Sequence, residues 1–132
     1  MSIAQVLARQ CKQTAVYWGN PVKNGYGGYT FDDPIEIKCR WEEKAQLLKM
    51  WDAKGDVFEC IALVYVLQDV DREGYLFFGT LNDLDSNQED APETIEISGR
   101  KAYSIRQFEK LPALGSTTEF VRAAYLSQFQ YR

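Results

Sequence analysis

Hydrophobic and polar residues alternate along much of this chain, and the alternation is clearest from Ile35 to Trp41. Ile35, Ile37, Cys39 and Trp41 fall on one face; Glu36, Lys38, Arg40 and Glu42 fall on the other. A period of two predicts a strand with one buried and one wet side. Phe58 to Leu67 is apolar on both faces, which predicts a strand covered on both sides by its own fold or by a neighbour. Asp52-Ala53-Lys54-Gly55 between them suits a type I turn closed by a residue of positive φ, so the two form a long hairpin. Glu43 to Trp51 is rich in helix formers, with Trp41, Ala45, Leu48 and Trp51 on one helical face. The alternation of Leu47, Lys49 and Trp51 with Leu48 and Met50 favours strand over residues 46–51.

The flanking segments extend the pattern. Ser2 to Lys12 predicts a short helix, capped by Ser2 and striped by Ile3, Val6, Leu7 and Cys11. It either packs on its own barrel or serves as an arm on a neighbouring subunit. Thr14 to Trp18 is β-branched and aromatic, a first strand. Gly19 to Pro34 holds glycines, Asn and Pro that forbid a long regular element, and Tyr26, Tyr29 and Phe31 ride on it. These aromatics either fold back on the domain or project towards a partner. Tyr75 to Thr80 follows the polar turn Gln68–Gly74, and the two strands flanking that turn are expected to pair. Leu81 to Arg100 has no clear element beyond a short strand over 94–97. Ala102 to Leu111 alternates again, and Glu119 to Leu126 is a last strand before an aromatic tail with Phe129 and Tyr131.

The expectation is one all-β domain over residues 1–132, with roughly six to eight strands. It is a small, closed or partly open antiparallel β-barrel with a short N-terminal helix and long rim loops. The helical arm takes residues 1–13, the barrel 14–126 and the tail 127–132. Closure removes strand edges that would otherwise promote aggregation.

Composition narrows the chemistry. With 132 residues, 45% hydrophobic and 14% aromatic, the chain can build a real core. There is no histidine, which removes the commonest general base, metal ligand and Ser-His or Cys-His nucleophile. Cys11, Cys39 and Cys60 form no CxxC pair and predict free thiols, with Cys39 and Cys60 in core strand positions. Glu42 and Glu43 are strand neighbours on opposite faces, poorly placed as an acid–base couple. The Gly25, Gly27, Gly28 spacing cradles no phosphate. Asp83, Asp85, Asn87 and Glu89 begin like a calcium loop. Gln88 stands where its turn glycine belongs and Thr94 where its bidentate glutamate belongs. We therefore expect no enzyme, no metal and no cofactor. A net charge of −4 argues against a nucleic-acid coat. No apolar run reaches transmembrane length and no signal-peptide core is present, so we expect synthesis in the cytoplasm and no membrane partner.

Five segments, in order, carry a resemblance: QTAVYWG (13–19), DPIEIKCRWEEK (33–44), GYLFFGTL (74–81), IRQFEKLP (105–112) and TEFVRAAYL (118–126). Together they resemble tailed-phage head–tail connector proteins, in particular the head-closure (stopper) family of long-tailed phages. The resemblance implies a β-barrel in a homo-oligomeric ring at the head–tail junction of the virion. It implies portal and adaptor proteins above the ring, tail tube or tail terminator proteins below, and packaged double-stranded DNA in the channel. It carries over no catalytic residue. One long loop would point into the channel. The candidates are the glycine-rich Gly19 to Asp33, which could change conformation between closed and open states, and the acidic Asn82 to Gly99 with Asp83, Asp85, Glu89, Asp90 and Glu93. The acidic loop is favoured for the channel, since repeated around a ring it would form a negative collar, and the glycine loop for neighbour contacts. Trp18, Tyr26, Tyr29, Phe31, Phe129 and Tyr131 are candidate subunit or partner contacts. Two other readings stand beside this: a tail terminator or adaptor of the same apparatus, and an OB-like module whose Trp18, Tyr26, Tyr29 and Phe31 stack bases or sugars.

Overall fold

The computed structural model describes residues 9–26, 28–51, 55, 57–85, 89, 92–97, 99–112 and 120–127, with the backbone alone for 44–51 and 93. Its strands are β1 (Gln13–Trp18), β2 (Val22–Lys23), β3 (Tyr29–Thr30), β4 (Ile35–Trp51), β5 (Val57–Val66), β6 (Tyr75–Phe78), β7 (Glu96–Ile97), β8 (Arg100–Pro112) and β9 (Phe120–Ser127). Six of them close an antiparallel barrel in the order β6-β1-β4-β5-β9-β8, with β8 returning to β6; β7 adds to β8, and β2–β3 form a separate hairpin. The fold is thus all-β and closed. The helical arm expected over residues 1–13 is not shown. Residues 1–8 lie outside the described residues, only Arg9 and Gln10 are helical in backbone, and Gln13 already belongs to β1.

Alternation along each strand builds two cores. Inward go Ala15 and Tyr17 of β1, Ile37, Cys39 and Trp41 of β4, Ala62, Val64 and Val66 of β5, Leu76 of β6, Ile105 of β8, and Ala124 and Leu126 of β9. The opposite faces of β1, β6 and β8 supply Val16, Trp18, Tyr75, Phe77 and Ala102 to a second cluster outside the barrel wall. Ile95 and the half-buried Leu81, Leu84, Ile97 and Phe31 cover it. The segment after β6 is therefore a wall covering, built from 3-10 turns at Leu81–Asp83 and Pro92–Thr94 and from β7. A double-sided apolar strand needs such a lid.

Several expectations are corrected by this packing. The strands flanking the 67–74 turn do not pair. Both sides of β5 are occupied, by β4 and β9, so β6 crosses the barrel end and closes it between β1 and β8. Val70 in that crossing is buried in the barrel core and plugs this end. In β8 a register shift between Ile105 and Gln107 breaks strict alternation. Ile105 is thus in the core and Phe108, three residues on, packs against the same core. The long hairpin forms as expected, with Gly55 at φ +85. It bends where the β4–β5 register shifts between Glu43 and Leu48. Ser127 belongs to β9 and is buried, not part of a tail.

Strand directions fix what projects where. The β4–β5 hairpin leaves from the end where Trp41 sits, here termed the mouth. The β8–β9 hairpin, the 19–34 connection and the 67–74 crossing lie at the opposite, plugged end.

Candidate functional site

The predicted site residues are dispersed by the fold. Trp18 is fully buried, with its indole N–H donating to the Glu89 carbonyl at 2.8 Å. It is a core residue and not a partner contact, because its outward-facing strand position is roofed by the wall-covering segment. Phe31 is half-buried, edge-on to Tyr75 with ring centroids 5.5 Å apart, and Tyr29 lies 6.4 Å from Phe31. Tyr26 is 94% exposed. Phe129 and Tyr131 lie outside the described residues. Of the acidic set, Asp83 accepts the Thr80 amide at 2.9 Å and lies 3.7 Å from the Arg100 guanidinium, and Asp85 is exposed. Glu89 is half-buried, Asp90 lies outside the described residues, and only the backbone of Glu93 is described, in a 3-10 turn. Asp83, Asp85 and Glu89 therefore sit on a segment held to the barrel flank by apolar anchors.

Tyr26 is presented by a built turn. The Asn24 side-chain oxygen accepts the backbone amides of Tyr26 (2.8 Å) and Gly28 (3.2 Å), while the Asn24 backbone N–H donates to the Gly28 carbonyl at 3.1 Å. Gly25 there has φ +82, the left-handed region glycine tolerates. The turn tips the β2–β3 hairpin.

At the mouth, Trp41 lies against Phe78 and Tyr103, with ring centroids 5.3 and 6.3 Å away. These three rings, with Glu43, Gly99, Arg100 and Lys101, line a cavity of about 250 Å³. Trp41 is 7% exposed, and its buried indole N–H has no hydrogen-bond partner among the described residues. Burial raises the Tyr103 hydroxyl above the usual phenol range, and the nearby Glu43 charge adds to it. Arg100 is engaged with the Phe78 carbonyl at 2.9 Å. Lys101 and Glu43 have no ion pair among the described residues.

At the plugged end, Asp69 accepts from Arg122 at 2.7 Å and Lys110 at 3.2 Å, and both cations lie over the Phe120 ring. The Arg122 hydrogen bond above all, then the Lys110 hydrogen bond and both positive charges, hold the Asp69 carboxyl below its usual pKa against the opposing cost of desolvation. The cluster ties the 67–74 crossing to the β8–β9 hairpin. At 60% exposure of the Asp69 side chain it is worth ~0.2–1 kcal/mol.

Sequence reasoning missed the mouth. Trp41 was legible as an inward residue, but Phe78, Tyr103 and Lys101 come from two other strands, joined to it only by barrel closure. Among the described residues no group of three His, Cys, Asp or Glu side chains is placed to hold a metal. No helix among them is long and apolar enough to cross a membrane. No family model, curated protein or solved structure matches this chain.

Proposed function

We propose that this chain is a non-catalytic structural protein of a long-tailed phage virion, the head-closure or stopper ring at the head–tail junction. It would retain packaged DNA and offer a platform for the tail. The observation that carries the reading is the layout of a small closed barrel. Long hairpins leave it at opposite ends, and one flank is armoured by an acidic covering segment. A ring subunit needs surfaces for its two neighbours and for the structures above and below, and the ends and flanks of the barrel together offer them. Standard interfaces bury roughly 1,600 Å² each, an area that projecting hairpins help to supply. The five segments resembling the head-closure family support the same reading.

In this proposal the acidic flank faces the channel and the negative collar acts on phosphate at short range, since screening limits exposed charges to roughly 8–10 Å. Charge reversal at the exposed Asp85, together with Asp90, spares Asp83, which holds the Thr80 amide and lies beside Arg100. Asp85→Lys with Asp90→Lys should alter DNA retention in filled heads while leaving the ring assembled. Unchanged retention would remove this flank from the mechanism.

A tail terminator remains the neighbouring reading, separated by whether the protein binds filled heads or finished tails. The OB-like reading loses support, because Trp18 is in the core and Phe31 packs on Tyr75, so of the four aromatics it needs these two are not free to stack on a ligand.

A further inference from the structure

Two features remain unused by the fold and are complementary. One is the mouth cavity, walled by the rings of Trp41, Phe78 and Tyr103 and lined by Lys101 and Glu43, which have no ion pair among the described residues. The other is Tyr26, a large aromatic almost wholly in water, on a turn that hydrogen bonds hold in place. A side chain presented in this way has already lost part of the freedom that binding would cost. Tyr is among the residues that most often anchor interfaces.

We propose that Tyr26 of one copy inserts into the mouth of the next copy. The cavity volume of about 250 Å³ falls below the ~300–1,000 Å³ of sites for drug-sized molecules and suits one ring-bearing side chain. The ring of Tyr26 stacks within the walls formed by Trp41, Phe78 and Tyr103. Its hydroxyl accepts from the Lys101 ammonium and donates to the Glu43 carboxylate. A phenol does both, and neither phenylalanine nor a carboxylate does.

The topology makes this contact intermolecular. The connection carrying Tyr26 starts from the plugged end, where β1 finishes and β4 begins, and the cavity opens at the other end. A contact between different patches on successive copies is heterologous, and such contacts generate closed rings or open stacks according to the rotation per copy. The inference rests on the ring assembly proposed above and names one of its joints.

The test uses the full chain, free in solution and assembled on filled phage heads. The photo-cross-linker p-benzoylphenylalanine placed at position 26 should join to the peptide of another copy containing Trp41 or Lys101. Tyr26→Ala should weaken self-association about thirtyfold, the effect of an interface hot spot, and Tyr26→Phe by a smaller factor. Lys101→Glu alone leaves two carboxylates and no ammonium at the mouth rim and so disables it at an exposed position. Mixing that variant with Tyr26→Ala should restore one joint per pair and give heterodimers only. Rings on heads whose position-26 cross-links land elsewhere, on this chain or on another protein, overturn the inference and leave the ring reading standing. Rings indifferent to Tyr26→Ala do the same. No association in solution or on heads overturns both.

Discussion

Gly74 stands where the barrel closes, and adding one methyl group there should loosen that seam. Its amide donates to the Asp71 carbonyl at 3.2 Å and its carbonyl accepts the Ile105 amide at 2.8 Å, while the Glu73 amide donates to the Ile105 carbonyl at 2.7 Å. A Cβ at Gly74 would lie 2.6 Å from the Trp18 carbonyl oxygen and 3.1 Å from that of Asp71. Ordinary contact begins near 3.4 Å, a shortfall of 0.8 Å against Trp18 (3.4 less 2.6). Both obstacles are backbone, so no rotamer change relieves them. Overpacking of this kind costs ~1–3 kcal/mol, offset by ~0.4–1 kcal/mol from the stiffer unfolded chain. With a backbone atom this close the cost falls in the upper half of that range, about 2–3 kcal/mol, so the net loss is about 1–2.5 kcal/mol, which lowers Tm by roughly 3–10 °C in a domain of this size.

The assay is urea and thermal unfolding of Gly74→Ala, with native-state hydrogen exchange at Glu73 and Ile105. Gly55→Ala is the control: its φ is +85 but nothing lies within 4 Å of its Cβ position. It should cost only the ~1 kcal/mol of left-handed backbone strain. It should leave exchange at Ile105 unchanged. A Gly74→Ala protein within 0.5 kcal/mol of the parent, a bound set below the ~1 kcal/mol expected, with Ile105 still protected, would refute this account of closure.

Three further outcomes are expected. Tyr17→Phe leaves the Asp71 amide, now bonded to the Tyr17 hydroxyl at 2.7 Å, without that acceptor. Urea unfolding should show a loss of ~0.5–1.5 kcal/mol. Burial pushes the Tyr17 and Tyr125 hydroxyls from 10.0 up to about 12, Tyr125 with help from the Glu109 carboxylate, and the Cys39 thiol from 9.0 up to about 12. Raised folded-state values give stability that is complete below the unfolded values and lost as pH rises through the folded ones. Unfolding should therefore set in between pH 9 and 12, read by circular dichroism together with tyrosinate absorbance, and stability flat across that window would contradict it. Cys11, Cys39 and Cys60 are at most 3% exposed, so a thiol reagent should label none in the native protein and all three in denaturant.

Much of the barrel was legible because a period of two is imposed locally. Ile37, Cys39 and Trp41 face inward as their alternation requires, and strand over 46–51 prevails against helix formers because β5 is there to pair with it. What escaped was non-local. Nothing around 67–74 says that β6 must cross the barrel end, since that depends on β9, fifty residues later, already occupying the side of β5. Trp18 looked like a contact residue because an aromatic beside a glycine-rich loop gives no sign of the distant segment that roofs it. The same segment looked like a loop because its anchors, Leu81, Leu84, Ile95 and Ile97, are widely spaced among acids. The mouth was invisible for the same reason: Trp41, Phe78 and Tyr103 meet only once the sheet has closed.

The central claim is that this barrel works as one of several copies encircling the DNA exit of a phage head. Electron microscopy of DNA-filled, portal-bearing heads mixed with the purified protein tests it most directly. The account predicts added ring density, coaxial with the portal channel and present on filled heads. Heads that bind no protein, or protein scattered off that axis as single copies, would contradict it.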